Sequence, residues 1–498
     1  MQDADLASIA ETRRLIERAG EAQAKLLDFT QADVDRTCEA MVEEGLRNAS
    51  MLARMAVDET GIGLYEDKIV KNQFSTRTVW EAIRGMRTVG FIREDPANGV
   101  YEVAVPVGVL AGLTPTTNPT STAMFKAIIS MKARNAIVFS PHPRATKCTI
   151  AAARLMNDAA VRAGAPDGLV SCIEHPTMEA TNELMHHKLI AAILATGGSA
   201  MVKAAYSSGK PAYGVGPGNV PAFIERSADV PLAVARILKS KTFDNGTICS
   251  SEQAVIADAP IEKKVLAELE AQGAHLCNDS ERAALERTVI MSHGGVNPAV
   301  VGKSAITVAQ LAGISVPAHT RVLAARCDGV GKAYPLSAEK LSPVLAFYVE
   351  PNWEAACHRC IELLNYGGLG HSMVIHSNDE AIIRQFALKK PVNRVLVNTP
   401  SSLGGIGFST GLQPSLTLGC GSWGGNITSD NVGPMHLINR KRMAYDNGQV
   451  KVEPEYVAAP ATATGVRRTG GLSEAESEAL SRLDRETISR LVDAYLSK

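Results

Sequence analysis

Cys249 ends a short polar approach, Asp244-Asn245-Gly246-Thr247-Ile248, and is followed by Ser250-Ser251-Glu252-Gln253 and an apolar run over 254–257. A thiol on a glycine-containing loop beside a strand is reachable, and the strand holds it still. Its reactive form is the thiolate, so such a site must lower the thiol pKa or supply a base. One cysteine is weak grounds by itself, because free cysteines are among the most buried residues. The company it keeps decides the matter.

Several other stretches carry residues that fit chemistry. Thr196-Gly197-Gly198-Ser199 follows an apolar strand and opens a helix, where backbone N–H groups and the helix dipole favour a phosphate. It is not the G-x-G-x-x-G fingerprint, and an ordinary strand-to-helix turn reads the same way. Asn118, in Pro115-Thr116-Thr117-Asn118-Pro119, sits past the strand at 107–111; its amide is placed to donate to an oxyanion. Gly214-Val215-Gly216-Pro217-Gly218-Asn219 is a glycine–proline turn, and no acid lies between Lys210 and Phe223. Glu339 precedes the strand at 344–348 and suits a ribose hydroxyl. His371, in Gly370-His371-Ser372, is a candidate proton carrier. The run around Gly419, Cys420, Gly421 and Trp423 is dense in glycine and permits close backbone approach to a ligand.

These residues need a frame. Residues 6–60 show helical spacing, with Val34, Cys38, Met41 and Val42 on one face. Residues 91–110 read as a hairpin suited to assembly, with a turn at 95–99. From 107 to 224 strands and helices alternate: strands at 107–111, 136–140, 169–173, 190–195 and 221–224, helices between them. That period predicts a doubly wound parallel sheet. We read 1–225 as a nucleotide-binding domain, 226–412 as an α/β catalytic domain carrying Cys249, and 413–450 as a return segment. Residues 451–471 are a linker by composition. Residues 472–498 open on a capping box, Ser473-x-x-Glu476, and continue as an amphipathic helix with Leu480, Leu483, Ile488, Leu491, Val492 and Tyr495 in one stripe.

A chain of 498 residues holds two or three domains. Lys and Arg number 51 against 52 Asp and Glu, which argues against a nucleic-acid partner. Nine scattered cysteines imply no disulfide framework and point to a reducing, cytoplasmic compartment. Cys357-His358-Arg359-Cys360 stands alone in a helical run, without a second ligand pair, so no metal is expected. The first residues are acidic where a secretory leader would be basic, and no apolar run reaches the ~18 residues of a membrane span.

Taken in order, the runs 114–122, 140–144, 195–219, 243–253 and 417–426 resemble the CoA-acylating branch of the aldehyde dehydrogenase superfamily, over about residues 10–445. The resemblance implies a doubly wound cofactor domain, an α/β catalytic domain and an oligomerisation hairpin. It makes Cys249 the nucleophile, Asn118 the oxyanion donor and His371 a proton relay. It places Thr196, Gly197, Gly198, Ser140, Pro141, Gly216, Gly218, Glu339 and Gly421 around NAD or NADP, with CoA as co-substrate, in a homodimer or homotetramer. Hydrolytic members carry a Glu in an E-L-G-G-K motif that activates water; here the matching run 214–219 has no carboxylate. Acylation of CoA is therefore expected, with hydrolytic oxidation or a non-catalytic scaffold as alternatives. The aldehyde stays open among acetaldehyde, propionaldehyde, succinate semialdehyde and sulfoacetaldehyde, as does the cofactor. The C-terminal helix resembles the encapsulation peptides that recruit enzymes to bacterial microcompartment shells.

Overall fold

A computed structural model describes residues 2–450 apart from His293. The chain divides into a unit spanning Met1–Ala444 and a second spanning Tyr445–Lys498. The expected linker at 451–471 and helix at 472–498 lie outside the described residues.

The first unit opens with helices. Thr30 and Asp33 form a capping box that starts Gln31–Arg47, which buries Val34, Cys38, Met41 and Val42. Five parallel strands follow, in the spatial order Val170–Cys172, Ala136–Ser140, Val109–Leu113, Ile190–Thr196, Ala212–Val215. The central three are almost wholly buried, as expected of strands covered on both faces. In chain order this is 3-2-1-4-5, so the order reverses between Val109–Leu113 and Ile190–Thr196. A crevice opens beyond the carboxyl ends of strands at such a reversal. Lys126 pins it: from the buried helix Pro119–Lys132 its Nζ donates to the carbonyls of Leu113, at 2.6 Å, and Leu194, at 2.7 Å.

Seven parallel strands form the second sheet, in the order Ala274–Cys277, Val322–Arg326, Val344–Glu350, Glu252–Asp258, Val220–Ile224, Gly370–His376, Val392–Val397. The strand at 221–224, counted above with the first lobe, thus belongs to the second. The change of sheet falls in the turn 216–219, not at 225. Two strands, Ala212–Val215 and Val220–Ile224, flank that turn with no helix between them, and the first of them was not expected from the sequence, so the break in alternation went unseen.

The third sheet is antiparallel: Gly90–Asp95, Val100–Pro106, Ile438–Ala444. The expected hairpin at 91–110 is shorter, since Val109–Leu113 enters the parallel sheet after Gly108, whose φ of +131° turns the chain. Ile438–Ala444 joins as an edge strand. Its sequence, Ile-Asn-Arg-Lys-Arg-Met-Ala, lacks the alternation that would have marked it.

Candidate active site

The cleft lies between two sets of strand ends. The five-stranded sheet presents carboxyl ends, through Thr114 after Leu113, Thr196, and Gly216 after Val215. The seven-stranded sheet presents amino ends, through Cys249 ahead of Glu252–Asp258 and Glu339 ahead of Val344–Glu350. Between them is a cavity of about 480 Å³, lined by Asn118, Ser140, Pro141, Thr196, Gly197, Gly198, Gly216, Cys249 and Glu339 among others. Nine of the twelve candidate residues named from the sequence thus meet on one surface.

The Cys249 loop leaves the helix Val230–Thr242 through Asp244 and Asn245, both left-handed at φ 48° and 53°. Two such non-glycine residues in succession cost about 1–2 kcal/mol each. Their neighbours hold them there. The buried Asp244 carboxylate accepts from Lys68 Nζ at 3.0 Å, Lys71 Nζ at 2.5 Å and the Leu64 N–H at 2.6 Å, and its own N–H donates to Asp67 at 2.7 Å. All four partners come from residues 64–71, so the helix Tyr65–Gln73 and its approach clamp the nucleophile loop. Burial alone would raise the Asp244 pKa; Lys71 and Lys68 outweigh it and hold the carboxyl below its usual range.

The half-buried Cys249 faces the cavity. Burial, then the Glu339 carboxylate, then Cys420 push its thiol up to about 12, against a smaller opposing effect of Arg394. The unliganded protein therefore holds the thiol protonated. Alkylation of Cys249 by iodoacetamide should accelerate about tenfold per pH unit from 7 to 10, with no plateau. A plateau below pH 9 would show that another group activates the sulfur.

Asn118 precedes Pro119 at the head of its helix, and its side chain makes no cap. Its Nδ2 donates to the Thr247 carbonyl at 3.2 Å, two residues before the nucleophile, while its Oδ1 accepts from Lys71 Nζ at 2.6 Å. An ammonium can only donate, so Lys71 fixes which end of the amide is which. The donor end faces the Cys249 loop.

On the opposite wall Gly198 starts the helix Ser199–Ser207 without a side-chain cap. A Cβ at Gly198 or Gly216 would meet nothing within 4 Å. The hydroxyls of Thr114, Thr116 and Thr196 are buried without partners. Open glycines, uncapped helix N–H groups and orphaned hydroxyls suit the diphosphate and ribose of a dinucleotide. The Glu339 carboxyl, pushed up to about 7 by burial, accepts from the Gly218 N–H at 2.9 Å. The Ser140 hydroxyl is shared with Thr181 at 2.8 Å.

Three of the expected residues, Gly218, His371 and Gly421, do not line the cavity. Gly218 packs behind Cys249: a Cβ there would lie 1.7 Å from the Cys249 carbonyl oxygen, and its N–H donates to Glu339. His371 lies beside Gly218, wholly buried. Its Nδ1 is 3.1 Å from the Ser372 hydroxyl, and Nε2 has no partner. Burial, reinforced by Arg394, pushes it down to about 3, so it is neutral and cut off from solvent. Gly421, at φ +58°, forms a turn hydrogen-bonded to Thr428 and Asn426. Conversely, Lys68, Lys71 and Asp244 were missed as site residues. In sequence Glu66-Asp67-Lys68-x-x-Lys71 looks like any solvated helix.

A thiol opposite a dinucleotide-type crevice defines the class: an α/β enzyme with two parallel sheets and a small antiparallel one. Known proteins agree. Residues 1–292 match the Aldehyde dehydrogenase family. The bifunctional aldehyde-alcohol dehydrogenase AdhE of Escherichia coli is 46% identical over 442 residues, 88% of this chain and 50% of that protein. The chain thus spans about half the length of the bifunctional relatives it matches. An acetylating aldehyde dehydrogenase from Geobacillus thermoglucosidasius superposes with a TM-score of 0.89 at 52% identity, covering 91% of this chain and 100% of that one. Two propionaldehyde dehydrogenases superpose at 0.80 and 29% identity, each covering 87% of this chain and 97% of theirs. One, from Rhodopseudomonas palustris, has bound CoA and an acylated cysteine. The other comes from the Clostridium phytofermentans fucose utilisation bacterial microcompartment. The chain belongs to the aldehyde dehydrogenase family.

Proposed function

We propose that the protein oxidises a small aldehyde to its acyl-CoA, reversibly, through a thioester on Cys249, with NAD or NADP as oxidant. One observation carries this reading most. Cys249 and Asn118 meet in a cavity whose only carboxylate, among the described lining residues, is Glu339, and that group is held by the Gly218 N–H.

Loss of the Cys249 proton to solvent gives the thiolate, which attacks the carbonyl carbon. The oxygen that gains charge is received by the Asn118 amide and the Cys249 N–H. The nicotinamide, when bound, supplies the acceptor for the hydride. Collapse of the tetrahedral adduct leaves the acyl group on sulfur. Thr196, Gly197, Gly198 and Gly216 hold the dinucleotide, with Glu339 at the nicotinamide ribose, and no step is routed through His371. The 214–219 turn offers no base for water, whereas a thiol needs little help as a nucleophile. Without CoA, the purified enzyme should release at most about one NADH per site, and CoA should restore turnover. Sustained NADH formation without CoA would favour the hydrolytic alternative.

The apolar part of the cavity lining also supports a neutral substrate. Ile248, Val301, Leu341 and Leu416 are apolar, and Lys71, the cation beside Asn118, already spends its three N–H groups on Asp244, Asn118 and Thr247. Acetaldehyde or propionaldehyde should outpace succinate semialdehyde and sulfoacetaldehyde in the same assay.

Assembly into dimers or tetramers is consistent with the edge strand Ile438–Ala444, whose outer backbone is unpaired within the described chain. The capping box and apolar stripe of 472–498 support encapsulation by a microcompartment shell. Deleting 457–498 should abolish co-purification with shell proteins while leaving native mass unchanged. A change in native mass would make the helix an intersubunit element. No described helix is long and apolar enough to cross a membrane.

A further inference from the structure

The mechanism above uses the donor end of Asn118 and leaves unexplained why two buried lysines sit behind it. Lys68 and Lys71 are each 3% exposed, and both bind the one carboxylate of Asp244, which is fully buried. Lys68 also donates to the Thr117 carbonyl at 2.9 Å, which holds the turn leading to Asn118. Lys71 alone reaches further. Its Nζ donates to Asp244 Oδ2 at 2.5 Å, Thr247 Oγ1 at 3.0 Å and Asn118 Oδ1 at 2.6 Å, and it also lines the cavity. A clamp for the Cys249 loop needs only the first two contacts. The third puts a full positive charge on the carbonyl end of the amide whose other end faces the nucleophile. An amide polarised at oxygen is a stronger N–H donor, and charge in a water-poor site is worth far more than in bulk solvent.

We propose that Lys71 is the positioning residue of the oxyanion site: it orients the Asn118 amide and, through it, brings positive charge to the oxygen of the attacked carbonyl. The inference rests on the reading that Cys249 attacks a carbonyl, but not on the identity of the oxidant or of the acyl acceptor. The thiol itself is shifted mainly by burial, and after that by Glu339, Cys420 and Arg394.

The charge on Lys71 is conditional. Burial pushes its pKa down to about 8, with Lys68 acting in the same direction and Asp244 and Asp67 opposing. Phe243 presents its ring 5.6 Å away. Lys71 is charged below that pH and neutral above it. The ammonium has three N–H donors for its three acceptors; the free amine has two, so one contact fails on deprotonation.

The test separates formation of an oxyanion from reactivity of the thiol. p-Nitrophenyl acetate acylates Cys249 through an oxyanion and needs neither dinucleotide nor CoA; iodoacetamide alkylates it without one. In Lys71→Met, the acylation rate should fall about 10- to 50-fold while alkylation stays within about threefold, since removing an oxyanion donor itself costs about 10²–10³ and Lys71 acts one bond further back. Lys71→Arg should restore most of the acylation rate. In the wild type the ratio of acylation to alkylation, from which thiol ionisation cancels, should decline above pH 8; in both variants it should stay flat. An equal fall in both reactions would make Lys71 a structural clamp, and an unchanged acylation rate would remove it from the oxyanion site; either result overturns the proposal. If acylation depends on Lys71 but the wild type shows no CoA-dependent turnover, the proposed function fails and this inference stands.

Discussion

Cys249→Ala is expected to lower aldehyde oxidation at least about 10⁴-fold, the scale on which covalent nucleophiles are lost, with binding of the dinucleotide unchanged within about threefold. The two parts of the expectation have different structural sources. Turnover requires a sulfur to carry the acyl group, and alanine offers no atom to bond. Thr196–Gly198 and Gly216, proposed to hold the dinucleotide, come from the five-stranded sheet, whereas Cys249 hangs from the seven-stranded one. The substitution removes one half-buried atom, so the cavity enlarges slightly and the Asp244 clamp stays intact. Initial rates with acetaldehyde, NAD and CoA, beside a titration of NADH fluorescence, measure both parts. Turnover within a hundredfold of wild type would end the thioester route.

Asn118→Ala should lower kcat by about 10²–10³ while KM for the aldehyde changes little, because the amide acts on charge that exists only after attack. The fold has reason to survive. Asn118 caps nothing, Pro119 still starts the helix, and Lys71 keeps Asp244 and Thr247 as acceptors. Alkylation of Cys249 by iodoacetamide, which forms no oxyanion, should continue near the wild-type rate. Parallel loss of kcat and alkylation would instead mean that Asn118 holds the loop. A rise in KM without loss of kcat would make it a contact to the bound aldehyde.

Much of the frame was legible because its causes are local. Buried parallel strands require unbroken apolar runs, and the turns between them require small residues, so the strands expected at 107–111, 136–140 and 190–195 lie within two residues of the observed Val109–Leu113, Ala136–Ser140 and Ile190–Thr196. The Cys249 loop was legible as a polar, glycine-bearing run that leads to one thiol and then to a strand, but only the other matching runs singled it out. The absence of an acid between Lys210 and Phe223 was also visible directly. Less was legible where a residue's meaning depends on a partner far along the chain. The strand Val220–Ile224 has the right composition for either sheet, and only its ladder with Glu252–Asp258 assigns it. His371 was chosen as a proton carrier for its residue type, yet burial beside Gly218 keeps it neutral and away from the cavity.

Most of the order of elements, the loop that carries Cys249, the glycine turn at 196–199 and the lack of an acid between Lys210 and Phe223 were thus readable in the sequence alone, since each depends on residues within a few positions of one another. Tertiary structure decided which strand ends face each other across the cleft. It also decided that Lys68 and Lys71 bury their charges against Asp244, 176 and 173 residues away. A buried ion pair needs both partners withdrawn from water together, and no local pattern around either lysine records where its carboxylate will be.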